Sequence, residues 1–310
     1  MAAAGSGRRR GGPVRDPGRH RGDDSSEPSE RSFEPFERSF EALGRLAYAE
    51  ARVSASASDL DSGEVLLAID ETVSLPGGEI GVLLLLVDVA ARIEDDSLPA
   101  LELLERGDGA VEGRRAAGGL WSSLVAPVLT VVDAAALVGA VRDPGATNAL
   151  IRRVGLESVR ARGEALGLSR TALLDLIRAE RGPDDAPQLS VASAVELEHL
   201  VRDLVHGDRV GIEVGNRVLG WLSGGVDLSV VASAFGLDPV AHRAADHGLQ
   251  LVNVTGSARG VRSEAGALRG ASRGVSYAAT VAFDDTDLVT RLRVLEALRT
   301  VGFDLLEYVG

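Results

Sequence analysis

The side chains able to act as bases or nucleophiles in this sequence are limited by what it lacks. The 310 residues include 33 arginines, five histidines and no lysine. A guanidinium group stays protonated in essentially any protein environment, whereas a buried lysine amine can lose its proton and act as a base. Mechanisms that need a neutral lysine amine, including a Schiff base, are therefore excluded. The absence of cysteine also excludes a thiol nucleophile and disulfides.

The histidines do not predict a metal site. Acidic residues do not accompany them in a pattern typical of metal ligands, and this holds for His199, His206, His242 and His247. We expect His242 and His247 to be solvated surface side chains. No metal and no cofactor is predicted.

Charge and hydropathy restrict the classes of partner. The net charge of -13 argues against nucleic acid, because a surface that follows phosphates needs an excess of basic residues. The longest apolar run, residues 80–91, is too short to span a bilayer and contains Asp88. The N-terminus has basic residues but no apolar run behind them, so it does not resemble a secretory signal. We expect a cytoplasmic protein that binds neither nucleic acid nor membranes; a protein partner is not indicated.

The chain divides into a tail and a folded region. Residues 1–35 are rich in Arg, Gly, Pro, Ser and Asp, and such a composition predicts disorder. Residues 36–310 are expected to form the folded domain. Its first elements are a helix at 39–50 and a hairpin whose strands, 52–58 and 64–69, flank a turn at 59–63.

Helices are predicted for the middle of the chain and strands for its end. The segment 80–94 is apolar on nearly every side apart from Asp88, Arg92 and Glu94, which is typical of a central helix. Thr130 and Asp133 predict the start of another helix. Further helical stretches are expected at 146–153, 156–166, 170–180, 213–223 and 226–235. Another helix, capped by either Ser190 or Ser193, is expected to run through Val205. Strands follow at 249–254, 260–268 and 275–283, with a last helix at 287–301.

This order predicts an α/β (α+β) fold with one antiparallel sheet. Its strands would come from about 50–72 and 248–285, with flanking helices and an inserted all-helical subdomain at about 80–235. Both ends of the folded region would then contribute to a single sheet.

Four segments, in this order along the chain, resemble the class A β-lactamases and penicillin-interacting serine hydrolases, in particular actinobacterial ones. The hairpin 59–65 looks like their first strand pair, and 83–90 like the buried helix that follows their nucleophile. The stretch 140–150 looks like the one that carries their Ser-Asp-Asn motif, and 253–256 like their Lys-Thr-Gly strand. The resemblance covers residue 38 to the end and implies the β-lactamase/transpeptidase fold.

The resemblance also implies where catalytic residues should lie. The family uses a serine nucleophile with a lysine one helical turn later. When the leucine run, residues 83–86, is aligned with the buried helix that follows the family's nucleophile, Glu79 falls at the serine position and Val82 at the lysine position. The family's water-activating Glu-x-x-Leu-Asn segment is not visible, and its nearest counterpart begins at Thr171.

The other motifs differ from the family's pattern as well. Arg142 takes the position of the second serine, Asp143 keeps the aspartate, and Pro144 replaces the asparagine. The downstream asparagine is kept as Asn148. In the last motif Val254 replaces the family's cationic residue, and Thr255 and Gly256 are kept.

Two functions follow as hypotheses. The first is a catalytically inactive homologue, a pseudoenzyme with a binding or regulatory role, in which Glu79 pairs with Arg142 and Asp143 bonds the backbone. A small molecule in the old cleft would contact Glu79, Arg142, Asn148 and Thr255. The alternative is a hydrolase or other acid–base enzyme that reuses the cleft with Glu79 and Asp143.

Overall fold

The computed structural model describes residues 36–107, 110–111, 114–115, 118–243 and 247–310. The predicted tail, residues 1–35, lies outside the described residues. The helices are α1 (Glu37–Tyr48), η1 (a 3-10 turn, Gly78–Gly81), α2 (Val82–Glu94), α3 (Leu120–Ser123), α4 (Val131–Val141), α5 (Pro144–Val154), α6 (Leu156–Ala165), α7 (Ala194–His206), α8 (Ile212–Leu222), η2 (a 3-10 turn, Val231–Ala234) and α9 (Leu288–Val309). The strands are β1 (Arg52–Asp59), β2 (Val65–Ile69), β3 (Leu75–Pro76), β4 (Leu103–Glu105), β5 (Ala110–Val111), β6 (Arg114–Arg115), β7 (Val128–Thr130), β8 (Ala172–Leu173), β9 (Ser190–Ala192), β10 (Gln250–Ala258), β11 (Val261–Arg269) and β12 (Gly274–Ala282).

The main sheet has five strands in the order β10-β11-β12-β1-β2, and every neighbouring pair is antiparallel. Its centre joins the two ends of the folded region, because β1 pairs with β12 and Ser56 lies opposite Ala278. The predicted fold class, an antiparallel sheet built from both ends of the chain with helices around it, is confirmed.

Apolar side chains form two cores that the main sheet separates. One core surrounds α2, whose four consecutive leucines, 83–86, are all buried, as the apolar pattern of 80–94 predicts. The other core is formed by α1, α9 and η2 with strands of the sheet, and includes Leu43, Val231 and Leu298. Because α2 is apolar on almost every side, it lies inside the molecule.

Two predicted helices are wrong. In 170–180 only the short strand β8 forms, because the backbone bonds to distant groups: Leu174 N–H donates to Leu189 O, and Ile177 N–H to Asn148. In 226–235 only η2 forms, because the buried carboxylate of Glu264 accepts the N–H groups of Val231 and Ala232.

His242 is buried, which corrects the expectation of a solvated side chain. Its backbone N–H donates to Asp238 O, and its Nε2 lies 2.8 Å from Gly225 O. The contact with Gly225 holds the ring against the segment that follows α8. Within the described ranges, no helix is long and apolar enough to cross a membrane.

Candidate functional site

Glu79 lies on η1, immediately before α2. Its Oε2 accepts hydrogen bonds from the backbone N–H of Ser257, at 2.6 Å, and from the Ser257 hydroxyl, at 3.3 Å. This joins the turn to the end of β10. Val82 is the first residue of α2 and is fully buried in the apolar core.

Two glycines allow this turn to approach β10 closely. A Cβ on Gly256 would lie 2.2 Å from Gly77 O, and one on Gly78 would lie 2.7 Å from Ser257 N. Gly78 also has a φ of +62°, which L side chains rarely adopt. Ser263 donates to Gly77 O at 2.7 Å, which fixes the turn from the neighbouring strand β11. The position of Glu79 is therefore determined by backbone contacts.

Arg142 ends α4 with a φ of +52° and points its side chain at Asp227. Its Nη2 donates to Asp227 Oδ2 at 2.8 Å, and the Thr255 hydroxyl donates to the same oxygen at 2.7 Å. Burial alone would raise the pKa of Asp227, but hydrogen bonds from Ser229 and Thr255 and the charge of Arg142 outweigh it and lower that pKa. The expected Glu79–Arg142 pair is therefore wrong, because each side chain has another partner.

Asp227 was missed by the sequence analysis. It follows Gly224-Gly225-Val226 in a segment that was expected to be helical. The glycine pair is the only local signal of a loop there, and it does not identify the aspartate as a partner of Arg142.

Asp143 is almost completely buried. Its Oδ1 accepts the N–H of Ala146 at 2.9 Å, and its Oδ2 accepts the N–H of Trp121 at 2.8 Å. It caps α5, whose first residue is Pro144, a residue well suited to that position. Because both oxygens bind backbone N–H groups, the expectation that Asp143 performs acid–base chemistry in the cleft is wrong. The structure instead contains the bonding to backbone that was expected for a catalytically inactive homologue.

Asn148 is a structural residue. Its Nδ2 donates to Ile177 O and its Oδ1 accepts from Ile177 N, both at 2.8 Å, and these bonds fasten the segment after β8 to α5. Because the side chain is buried and both its nitrogen and its oxygen bond Ile177, its assignment as a binding residue is corrected. Thr171 is buried, and its hydroxyl accepts the N–H of Ser193.

Polar side chains near Glu79 and Asp227 alternate along β10. Thr255 and Ser257 are two residues apart and share one face of the strand, while Val254 points into the apolar core. Arg262 on β11 lies opposite Ser257. Burial lowers the pKa of Arg262, and the charges of Glu79 and Asp227 oppose that shift, so this guanidinium lies within electrostatic range of both carboxylates.

The structure thus brings together Glu79, Thr255 and Arg142 from the predicted set, and adds Asp227, Ser257 and Arg262. Two carboxylates and two guanidinium groups flank two hydroxyls. Such a wall can bind a polar molecule through charge-assisted hydrogen bonds. Over the part of the chain that the structure describes, no group of three His, Asp or Glu side chains could hold a metal ion.

Comparisons with known proteins agree on a fold. A family model described as the β-lactamase enzyme family matches residues 35–309. No curated protein sequence matches the chain.

Solved structures give the same result. The chain is similar to a β-lactamase from Sphaerobacter thermophilus DSM 20745, with a TM-score of 0.74 and 18% identity, over 89% of this chain and 97% of that chain. It is similar to PBP-A, with a TM-score of 0.71 and 16% identity over 87% and 95% of the two chains. A β-lactamase from Burkholderia vietnamiensis gives 0.69 and 15% over 87% and 96%. At these low identities the likeness is one of fold.

Proposed function

The chain belongs to the β-lactamase enzyme family, and from this premise we propose that it binds a small polar molecule in the cleft without hydrolysing it. It would be a pseudoenzyme of the serine-hydrolase type. Its net charge and composition favour a cytoplasmic role with a small ligand rather than with nucleic acid or a membrane.

The pair Glu79 and Val82 is the observation that carries this proposal. Acyl-enzyme chemistry of the family type needs a hydroxyl nucleophile and an amine that takes its proton. In the register given by the leucine run, these positions hold a carboxylate bonded to Ser257 and a buried valine. No other register can supply the amine, because the chain has no lysine. Loss of nucleophile and base costs several orders of magnitude in rate.

The charges of the cleft support a binding role. Ser257 binds Oε2 of Glu79, and the described residues provide no hydrogen-bond donor for Oε1. This second oxygen can accept a hydrogen bond from a ligand. Arg142 uses one Nη atom for Asp227, and its side chain is 18% exposed. A molecule with donors on one side and acceptors on the other would satisfy both.

The alternative, an acid–base enzyme, is less well supported. Asp143 has no free oxygen, and the second carboxylate of the cleft is Asp227. A general acid works best with a pKa near the working pH. The pKa of Asp227 is lowered, so its carboxyl is ionised at neutral pH and is unsuited to donating a proton.

A test of acylation decides between these functions. The purified protein is incubated with a fluorescent penicillin and with a chromogenic cephalosporin, and the intact mass and absorbance are followed. We expect no mass increase and no turnover above the buffer rate. A covalent adduct or steady turnover would contradict the proposal.

A thermal-shift panel of small polar molecules then tests the binding role. We expect at least one molecule to raise the melting temperature of the protein, and Glu79→Gln to remove that shift. Glu180→Gln is the matched control, because Glu180 is exposed and is not among the residues that surround Glu79. If no molecule of the panel shifts the melting temperature, or if the two variants respond alike, the binding role in the cleft is wrong.

A further inference from the structure

A polar cavity lies at the far end of α2, away from η1 and Glu79. Its volume is about 330 Å³. One wall is the α2 face that carries Asp88, Arg92 and, just past the helix end, Asp95, which follow one another at helical spacing. The function proposed for the cleft uses none of these residues.

The opposite wall is one face of α6. The α6 residues that line the cavity recur at helical spacing and form a single stripe along the helix: Ser158, Ala161, Arg162 and Ala165. This stripe provides a hydroxyl, a guanidinium and two methyl groups. The cavity is therefore charged on both walls and has a small apolar patch.

Asp88 is buried in a helix that is otherwise apolar, and it orients both arginines. Its Oδ2 accepts Arg92 Nε at 3.1 Å and the Ser158 hydroxyl at 2.8 Å, while its Oδ1 accepts Arg162 Nε at 3.4 Å. Both guanidinium groups are thus held through their Nε atoms. Arg92 and Arg162 remain 29% and 33% exposed, so their outer ends stay accessible.

The outer ends of the two arginines are mostly unused. Arg92 Nη2 donates to the Ser158 hydroxyl. For Arg92 Nη1 and both Nη atoms of Arg162, the described residues provide no acceptor within hydrogen-bond distance. Two guanidinium groups fixed by a buried carboxylate beneath them form a site for one carboxylate of a ligand.

Asp95 supplies the opposite charge at the rim of the cavity. Its side chain accepts from Ser97 and is exposed. The Ser97 hydrogen bonds lower the pKa of Asp95, and the nearby charges of Arg162 and Arg92 lower it further. An ionised Asp95 attracts an ammonium group and repels a plain anion.

We propose that this cavity binds a small zwitterion of the amino-acid type. The ligand carboxylate lies between Arg92 and Arg162, its ammonium group contacts Asp95, and a short apolar side chain packs on Ala161 and Ala165. A simple anion satisfies only half of the site, because the two aspartates balance the charges of the two arginines. This inference is independent of the function proposed for the cleft.

The test uses L-valine and two molecules that each lack one of its charges. Binding of L-valine, 3-methylbutanoate, 2-methylpropylamine and inorganic phosphate to the full chain is measured by ligand-observed NMR and by amide shifts of the ¹⁵N-labelled protein. We expect L-valine to bind with a Kd on the order of 1 mM or tighter, and each of the others to bind at least about tenfold more weakly. Amide shifts are expected around α6 and the end of α2.

Two pairs of variants assign the charges. Asp95→Asn is expected to weaken valine binding about tenfold while leaving 3-methylbutanoate unchanged or tighter. Asp96→Asn, the same change one residue further along in an exposed position, should have no effect. Arg162→Gln should weaken both ligands, whereas Arg152→Gln should weaken neither. If Arg162→Gln does not fold, the aspartate pair still decides the question.

Each remaining outcome overturns the proposal. Absence of valine binding at concentrations up to about 10 mM means that the cavity is only a salt-bridge network between α2 and α6. Equal binding of valine, 3-methylbutanoate and phosphate means a plain anion site. Equal effects of Asp95→Asn and Asp96→Asn mean that Asp95 does not contact the ligand.

Discussion

Gly256 is the residue on which the position of Glu79 most depends. A Cβ at this position would meet Gly77 O at 2.2 Å, Ser263 Oγ at 2.5 Å and Ile80 N at 2.7 Å, and the first and last of these atoms belong to backbone. Backbone cannot move aside as the end of a flexible side chain can. The closeness of η1 to β10 therefore requires glycine here.

We predict that Gly256→Ala lowers the free energy of unfolding by about 1–3 kcal/mol or more, the cost of overpacking a tight contact. Gly44→Ala is the control, because Gly44 lies within α1 and a Cβ there meets nothing within 4 Å. That change should raise the free energy of unfolding by about 0.5–1 kcal/mol. Urea unfolding followed by circular dichroism measures both, and similar values for the two variants would refute the close approach.

Glu264 is a buried carboxylate in the core between the sheet and η2. It accepts hydrogen bonds from Tyr277, Asn253 and the backbone of Val231 and Ala232. Burial raises its pKa to about 7, although these hydrogen bonds act in the opposite direction. The folded protein therefore favours the protonated form of Glu264 more than the unfolded chain does.

This difference in the pKa of Glu264 between the folded and unfolded states determines the sign of the pH dependence of stability. The pKa of Glu264 is raised on folding from 4.5, so its contribution to stability is complete below about pH 4.5 and is lost as the pH rises through about 7. We predict that the free energy of unfolding falls by up to about 3 kcal/mol between pH 5 and pH 8. Urea titrations across this range measure the slope. Glu264→Gln should flatten it, and an unchanged slope in that variant would assign the pH dependence elsewhere.

At the scale of elements, the start of α5 depends on one side chain that serves two segments. Asp143 accepts the N–H of Ala146 within the first turn of α5 and the N–H of Trp121 at the start of α3. It therefore caps one helix and holds the other against it. The side chain is almost completely buried.

Asp143→Ala is predicted to cost about 2–4 kcal/mol, because a cap is lost and the buried N–H of Trp121 loses its acceptor. Asp287→Ala provides the comparison. Asp287 caps α9 from an exposed position, where it accepts the N–H of Thr290, and its loss should cost about 1 kcal/mol. Chemical denaturation of both variants gives the two values. Equal costs would mean that Asp143 acts only as a helix cap.

The elements that were predicted correctly are those whose structure is determined by residues within the element itself. The apolar periodicity of α2 and the turn between β1 and β2 are local signals, and both elements form as expected. The segments 170–180 and 226–235 also have apolar residues at helical spacing. Their backbone groups bond to side chains far along the chain, Asn148 and Glu264, which no local pattern contains.

The same reasoning applies to the cleft. Motif order placed Glu79, Arg142 and Thr255 in one region, and the structure does bring them close to one wall. The partner of Arg142 could not be predicted, because Asp227 is 85 residues away along the chain and comes within hydrogen-bond distance only once its segment has folded over β10. The cavity between α2 and α6 depends in the same way on the packing of two helices.

At the scale of the whole molecule, α1 is attached to α9 by a buried carboxylate. Asp304 Oδ2 accepts the N–H of Ser39 at 2.9 Å and its hydroxyl at 2.6 Å, and Oδ1 accepts Arg38 Nε. Arg38 also pairs with Glu307 at the surface, where both side chains are well exposed. The same arginine thus has one buried and one exposed partner.

Asp304→Ala is predicted to lower the free energy of unfolding by about 2–4 kcal/mol, because two buried donors of Ser39 lose their acceptor. Glu307→Ala should change it by less than about 0.5 kcal/mol, as is usual for exposed ion pairs. Thermal and urea unfolding of the two variants tests this contrast. A large effect of Glu307→Ala would show that the surface pair, rather than the buried one, attaches α1.

The pairing of β1 with β12 also determines when this chain can fold during synthesis. Strand β1 ends at Asp59, and its partner begins at Gly274, more than 200 residues later. At a ribosomal rate of about 5–20 residues per second, β1 waits roughly 10–45 s before its partner emerges. During that interval the hairpin of β1 and β2 has an open edge that can pair with other chains. Chaperones that cover this edge during synthesis should therefore raise the yield of soluble protein.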